Sequence, residues 1–260
     1  MRDDVVTGLP RVRRWPWVLL ALLVVLVLVG TAVAAVTGRV LPYRADREEL
    51  RGTPFVMRTQ GGVPFDEEDR VRAGLVAVDA YLDEVVGAPL DDRAEVRVTW
   101  SQPCDPLLGP DSGEPAWAED GLVCLNAHHP GWRGEVDRHV WFPAYAAARE
   151  AVHLWQASLG CAGLDDGEWL ADGMAQHLAF EALRDAGIVT RADARSHADG
   201  RGGEDHRAVR QLAEGAPGVA AFADFCTATG EGLAWADAFR DAFGLAPDEL
   251  AGDPGADATA

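Results

Sequence analysis

A long uncharged segment near the N-terminus is the feature that most constrains this chain. No charged residue lies between Arg14 and Arg39, and residues 15–38 are almost entirely apolar. As a helix this run would rise about 36 Å, enough to cross a hydrocarbon core of about 30 Å. Because arginines precede the run, the positive-inside rule would keep residues 1–14 in the cytoplasm. The sequence therefore predicts a single-pass membrane protein that contacts the membrane through residues 15–38 and has an extracytoplasmic main domain.

A cleaved signal peptide is the alternative interpretation of residues 15–38. Ala32 and Ala34 give the small-x-small form of a cleavage site. The apolar run is longer than the usual signal core of about 7–15 residues, which favours an uncleaved anchor. Both interpretations export the same domain.

The cysteines agree with export, because all four follow the apolar run and oxidising compartments permit disulfides. They are Cys104, Cys124, Cys161 and Cys226. Three pairings are possible, and we favour the pairing of nearest neighbours, Cys104 with Cys124 and Cys161 with Cys226. A zinc site made of these cysteines is not expected, because no Cys-x-x-Cys pair exists.

The charge of the chain narrows the class of partner. The formal net charge is −19 at pH 7. A field of this sign disfavours nucleic acid and anionic lipid. It leaves a protein or peptide partner open, and otherwise indicates a solvated surface.

Hydrophobic periodicity predicts one α+β domain, mostly helical, over residues 65–250. Residues 39–64 are interpreted as a juxtamembrane linker with a possible short helix or strand, and residues 251–260 as a disordered tail. An amphipathic helix should begin at Phe65 and close at Gly87. Strands are expected at 95–101 and 121–129, with a turn-rich loop between them. Further helices are expected at 142–159, 168–186, 208–213, 220–229 and 232–243, and a mobile loop at 190–203.

Two of the predicted helices carry polar residues at the spacing of a zinc peptidase site. The first contains REAVH at residues 149–153, and the second contains WLADGMA at residues 169–175. A zinc peptidase needs three protein ligands, an open position for water, and a carboxylate that takes the proton of that water. Glu150, His153 and Asp172 are of the residue types that such a site requires.

These motifs resemble those of the gluzincin, or peptidase MA-like, metallopeptidases. That family has a His-Glu-x-x-His helix, often followed by Gln, and then a Trp-Leu-x-Glu-Gly-x-Ala helix. The run HLWQ at 153–156 fits the end of the first motif, and AFRDAFGL at 238–245 resembles the C-terminal helix of the family. The resemblance implies a zincin-like domain with a small sheet and a helical C-terminal part. It also implies Glu150 as the general base and His153 and Asp172 as metal ligands.

Two departures from the family pattern bear on activity. Arg149 stands where the first histidine would be, and a guanidinium is always cationic and cannot bind a metal. Asp172 replaces a glutamate and is shorter by one methylene. We therefore expect Arg149 to replace the metal by bridging Glu150 and Asp172 with charge-assisted hydrogen bonds. No cofactor is expected, and zinc would be the cofactor if the site were active. Rescue of a metal site by another histidine is a lesser alternative; the candidates are His128, His129, His139 and His177.

Three functions follow from the sequence. The first is an exported gluzincin-like domain that has lost peptidase activity and serves in binding or scaffolding. The second is an active zinc metallopeptidase with an unusual ligand set, in which Glu150 is still the base. The third is a helical exported interaction module unrelated to peptidases.

Overall fold

The computed structural model describes residues 23–25, 43, 47–90, 92–100, 114–161, 167–198, 203–215 and 217–250. The chain divides into two compact units, residues 1–40 and 41–260. In the first unit only residues 23–25 are described; they are helical and their side chains are exposed. All other elements belong to the second unit.

The predicted fold class needs a correction at the N-terminus. No helix among the described residues is long and apolar enough to cross a membrane. Residues 23–25 make up less than one helical turn, and the remainder of the predicted span at 15–38 lies outside the described residues. The described fold is α+β and mostly helical, without the N-terminal transmembrane helix that the sequence predicted.

A five-stranded mixed sheet forms one layer of the second unit, with the order β1-β2-β3-β5-β4. Its strands are β1 (Glu48–Glu49), β2 (Phe55–Thr59), β3 (Ala94–Thr99), β4 (Ala116–Glu119) and β5 (Leu122–Asn126). The three central strands β2, β3 and β5 run parallel, with Val96 opposite both Met57 and Val123. The edge strands β1 and β4 are antiparallel to their neighbours.

The sheet differs from the sequence prediction in its extent. The strands expected at 95–101 and 121–129 are present as β3 and β5, and they pair. Strands β1 and β2 lie in residues 39–64, for which the sequence predicted a linker with a possible short helix or strand. Strand β4 lies in the predicted loop. The short lengths of β1 and β4 and the burial of four of the five residues of β2 leave little of the alternation that marks a strand.

Eight helices of the second unit are described. They are α1 (Phe65–Tyr81), α2 (Pro130–Arg138), α3 (Phe142–Leu159), α4 (Glu168–Asp185), α5 (Arg191–Ala198), α6 (Gly203–Glu214), α7 (Ala220–Gly230) and α8 (Trp235–Phe243). A π-helical turn, Leu82–Val86, extends α1 and ends at Gly87, which has a left-handed φ of 77°. A short 3₁₀ turn, Pro247–Glu249, follows α8.

Helix α3 lies at the centre of the core. It packs against α1, α4, α7 and the sheet strands β4 and β5. The crossing with α1 is close, because a Cβ atom at Gly74 would lie 2.2 Å from the carbonyl oxygen of Ala144. At the other end of α3, the disulfide Cys161–Cys226 joins the helix to α7 with a Cα–Cα distance of 4.8 Å. Contacts at both ends therefore fix the helix that carries Arg149.

The prediction of a mobile loop at 190–203 is wrong for residues 191–198, which form α5. Thr190 and Asp193 cap this helix reciprocally. The Asp193 carboxylate accepts hydrogen bonds from the Thr190 amide and hydroxyl, and the Thr190 hydroxyl accepts one from the Asp193 amide. The Thr-x-x-Asp pattern is a sequence signal for the start of a helix. It predicts α5 even though the segment has no apolar periodicity. Helix α2 was also missed, although Pro130 at its start is typical of a first helical turn.

Candidate functional site

The predicted site residues lie on two packed helices, α3 and α4. Aromatic contacts hold the helices together, with the Tyr145 and Phe180 rings stacked at 4.5 Å and Trp141 edge-on to Phe180 at 5.6 Å. One turn beyond Tyr145 on α3, Arg149 faces the beginning of α4. The structure brings Arg149, Glu150, His153 and Asp172 together, and we call these four residues the Arg149 cluster.

Arg149 bridges the two carboxylates of the cluster. Its Nη1 donates to Glu150 Oε1 at 2.7 Å, and its Nη2 donates to Asp172 Oδ1 at 3.1 Å. The Glu150 side chain is 3% exposed, whereas the Asp172 side chain is 45% exposed. The guanidinium therefore joins a buried carboxylate on α3 to a partly solvated one on α4.

Gln156 fixes the tautomer of His153. The Gln156 amide nitrogen donates to the Ala171 carbonyl at 2.8 Å, so its Oε1 faces His153 Nδ1 at 2.9 Å as an acceptor. Nδ1 must then carry the proton, and Nε2 presents its lone pair. Nε2 lies 3.5 Å from Asp172 Oδ1, too far for a hydrogen bond and consistent with two acceptors facing each other.

The electrostatics of the cluster follow from burial and from the central cation. The pKa of His153 is lowered to about 4, because burial and the Arg149 charge together outweigh the opposing effect of Asp172. Burial raises the pKa of Glu150, and the neighbouring Arg149 opposes that shift. Burial also acts to lower the pKa of Arg149, but Glu150, Tyr145 and Asp172 outweigh it and raise the pKa. At neutral pH the cluster thus holds an uncharged imidazole beside a permanent cation.

An edge strand runs beside the cluster. Strand β4 lies against α3, and the described residues pair it with β5 on one side only. Glu114, two residues before β4, is close enough to raise the pKa of Glu150. The Arg149 cluster therefore lies near the edge strand β4 of the sheet.

The residues of the cluster do not fit a zinc ion as they are arranged. Among the described residues, no group of three or more His, Cys, Asp or Glu is placed to hold a metal. The guanidinium of Arg149 already occupies the space between Glu150, the predicted general base, and Asp172, a predicted ligand. Three ligands and an open position are what a catalytic zinc requires.

The other candidate histidines lie outside the cluster. His128 packs on the Trp100 ring at 5.3 Å, His139 stacks on Trp141 at 4.7 Å, and His129 Nδ1 accepts from the Gly131 amide at 3.0 Å. His177 packs edge-on to Phe222 at 6.4 Å, on the face of α4 turned away from Asp172.

The disulfide prediction is confirmed for one pair. Cys161 and Cys226 are joined, as the pairing of nearest neighbours required. Cys124 is also disulfide-bonded. Its predicted partner, Cys104, lies outside the described residues, so that pair stays a prediction.

Comparisons of the chain with protein-family models, with curated proteins and with solved structures found no match. The resemblance to gluzincins therefore stays a prediction from the sequence motifs.

Proposed function

We propose that the chain is an exported, peptidase-like domain in which Arg149 takes the place of a catalytic metal and the surface beside the Arg149 cluster binds a partner without cleaving it. The observation that carries this proposal is the bridge from Arg149 to both Glu150 and Asp172. Export is supported by the disulfide Cys161–Cys226, because such bonds persist in oxidising compartments.

The chemical argument rests on what a guanidinium can and cannot do. Like a metal ion, it neutralises a buried carboxylate that would otherwise be costly to hold in the core. Unlike a metal ion, it has no open coordination position and does not lower the pKa of a bound water to produce a nucleophile. Arg149 can therefore stabilise the buried carboxylate as a metal ion would, but it cannot supply the hydrolytic chemistry of a metal site.

Strand β4 offers a binding mode for an extended peptide. One edge of β4 pairs with β5, and among the described residues no strand pairs with the opposite edge, where a peptide strand can add. We therefore propose a peptide or protein segment as the partner, bound along β4 beside the Arg149 cluster.

Metal analysis of the purified protein tests the proposal. The unaltered chain should contain no stoichiometric zinc after dialysis against micromolar zinc, whereas the double variant Arg149→His/Asp172→Glu should bind one zinc per chain. That gain requires the two helices to hold ligands at the spacing of a zinc peptidase. A double variant that folds and gains no zinc would favour an interaction module unrelated to peptidases.

One observation favours the active peptidase as the second candidate. His153 is uncharged at neutral pH and its Nε2 lone pair faces Asp172, the other predicted ligand, as a metal ligand requires. Stoichiometric zinc in the unaltered chain, lost in His153→Ala and kept in His128→Ala, would support this candidate and overturn the first. His128 is a matched control because it is exposed and lies outside the cluster.

A further inference from the structure

A second cavity lies between α4, α5 and α6, on the side of α4 that faces away from Asp172. Its volume is about 450 Å³, within the range of small-molecule sites. The buried side chain of His177 is part of its lining. None of the Arg149 cluster lines it, so this cavity is separate from the site described above.

The net charge of the residues that line the cavity is positive, whereas that of the whole chain is negative. Three arginines, Arg184, Arg191 and Arg210, line it together with Glu181 and Glu214. Among the described lining residues, three cations against two carboxylates leave one positive charge, in a chain whose net charge is −19. An acidic protein that gathers three guanidinium groups around one cavity has there a local preference for an anion.

The pairs that Arg184 and Arg210 make with these carboxylates differ in strength. Arg184 donates to Glu181, one turn away on α4. The Arg210 Nε atom is 3.9 Å from Glu214 Oε1, beyond hydrogen-bond range, and the Glu214 side chain is 73% exposed. An ion pair of that kind contributes little and yields readily to a better acceptor. Burial raises the pKa of Glu181, and the charges of Arg184 and Arg191 oppose that shift, so Arg191 acts on the same region.

The remainder of the lining is apolar. Phe180 and Val219 form part of the wall with the small side chains of Ala194 and Ala213. A ligand that uses the whole cavity therefore needs an apolar body as well as an anionic head group.

We propose that this cavity binds a small amphipathic carboxylate, with its head group at the arginines and its chain against Phe180 and Val219. A guanidinium matches the two oxygens of a carboxylate with parallel hydrogen bonds, which gives the head group its specificity. One monoanion neutralises the excess positive charge of the lining. The binding of this ligand does not depend on the function proposed for the Arg149 cluster.

Isothermal titration of the full chain with sodium octanoate tests this proposal, with octanamide as the neutral ligand of the same chain length. Octanoate should saturate one site, and octanamide should bind at least about tenfold more weakly, because it lacks the charge-assisted bonds. Arg210→Gln should weaken octanoate about tenfold, and Val219→Trp should abolish binding by filling the cavity. If Val219→Trp fails to fold, Arg210→Gln decides the test.

Arg240→Gln is the matched control, because it removes the same charge from an exposed pair with Asp237 on α8, outside the cavity. It should leave octanoate binding unchanged. The proposal is overturned by an absence of saturable octanoate binding, by equal binding of octanamide, or by an Arg240→Gln effect as large as that of Arg210→Gln. Zinc measurements at the Arg149 cluster bear on neither outcome.

Discussion

The guanidinium of Arg149 donates hydrogen bonds to two carboxylates on different helices, one buried and one partly exposed. The Arg149 side chain is 23% exposed and its partner Glu150 is 3% exposed. Removal of the cation would leave Glu150 buried without its charge partner. The cost of that orphaned carboxylate, more than the loss of the hydrogen bonds, sets the size of the effect.

The variant Arg149→Ala should lower the free energy of unfolding by about 2 kcal/mol, below the range for fully buried pairs because solvent reaches Asp172. Urea denaturation at pH 7 measures the loss. Adding Glu150→Gln should recover more than half of it, since the unpaired charge is then removed. Arg240→Ala, which breaks an exposed pair, should cost less than about 1 kcal/mol. Equal losses in the two arginine variants would contradict the bridging role.

His153 should make the protein less stable as the pH falls. Its pKa in the folded protein is about 4, below the usual value of about 6.5 that applies in the unfolded chain. Between these two values the unfolded chain binds a proton that the folded protein does not, so stability rises with pH. The loss on going from pH 7 to pH 4 is on the order of 3 kcal/mol from this group.

The contribution of His153 is isolated by comparing unfolding of the unaltered chain and of His153→Gln at several pH values. The difference between the two should shrink as the pH falls, because the glutamine does not titrate. NMR of the imidazole nitrogens should show Nδ1 protonated and the ring neutral at pH 5.5. A doubly protonated ring at that pH would contradict the burial argument.

Sequence spacing was sufficient to propose the Arg149 cluster but not the environment of His153. The three-residue step from Glu150 to His153 and the later Asp172 are visible in the sequence, and the structure brings them together. Gln156 was visible as well, yet its effect on the tautomer depends on the Ala171 carbonyl of another helix. Contacts between elements of this kind have no local sequence signal.

At the scale of elements, the crossing of α1 and α3 depends on Gly74. Replacing glycine by alanine inside a helix usually stabilises it by up to about 1 kcal/mol. At Gly74 the new Cβ would lie 2.2 Å from the backbone oxygen of Ala144, and a backbone atom cannot rotate away. Gly74→Ala should therefore destabilise the protein by about 2 kcal/mol, as overpacking of a core does.

Gly134→Ala is the matched control for that prediction. Gly134 lies inside α2, and a Cβ there would meet only the flexible end of Arg138 at 3.8 Å. It should be neutral or stabilising by up to about 1 kcal/mol. Thermal unfolding of both variants gives the comparison, and a Gly74→Ala protein as stable as Gly134→Ala would show that the helices do not approach as closely as described.

Elements with strong periodicity or a clear end signal were predictable, and short or buried ones were not. Helix α3 begins and ends where the sequence predicted, because its apolar pattern is long and Gly160 adopts the left-handed conformation that ends it. Strands β1 and β4 are too short to show a period, and β2 is buried on both faces. Their place in the sheet is set by tertiary pairing with β3 and β5.

At the scale of the whole molecule, the part of the second unit that contains the sheet meets the C-terminal helices of the same unit where α3 ends. A Cβ atom at Gly160 would lie 2.2 Å from the Gly230 Cα atom, so the two backbones nearly touch there. The disulfide Cys161–Cys226 closes this junction across a sequence separation of 65 residues. Because α7 also packs on α8 through Phe225 and Phe239, the bond holds a set of helices rather than one loop.

The double variant Cys161→Ala/Cys226→Ala should lower the free energy of unfolding by about 4 kcal/mol, because the unfolded chain regains the freedom of a long loop. The second disulfide, at Cys124, should survive, since no cysteine of the described residues is free and the variant removes both partners of one bond. A thiol assay should accordingly detect no free sulfhydryl in either protein. Urea denaturation of the two proteins under non-reducing conditions measures the difference. A loss below about 1 kcal/mol would mean that the close approach of Gly160 and Gly230 already holds the junction without the covalent bond.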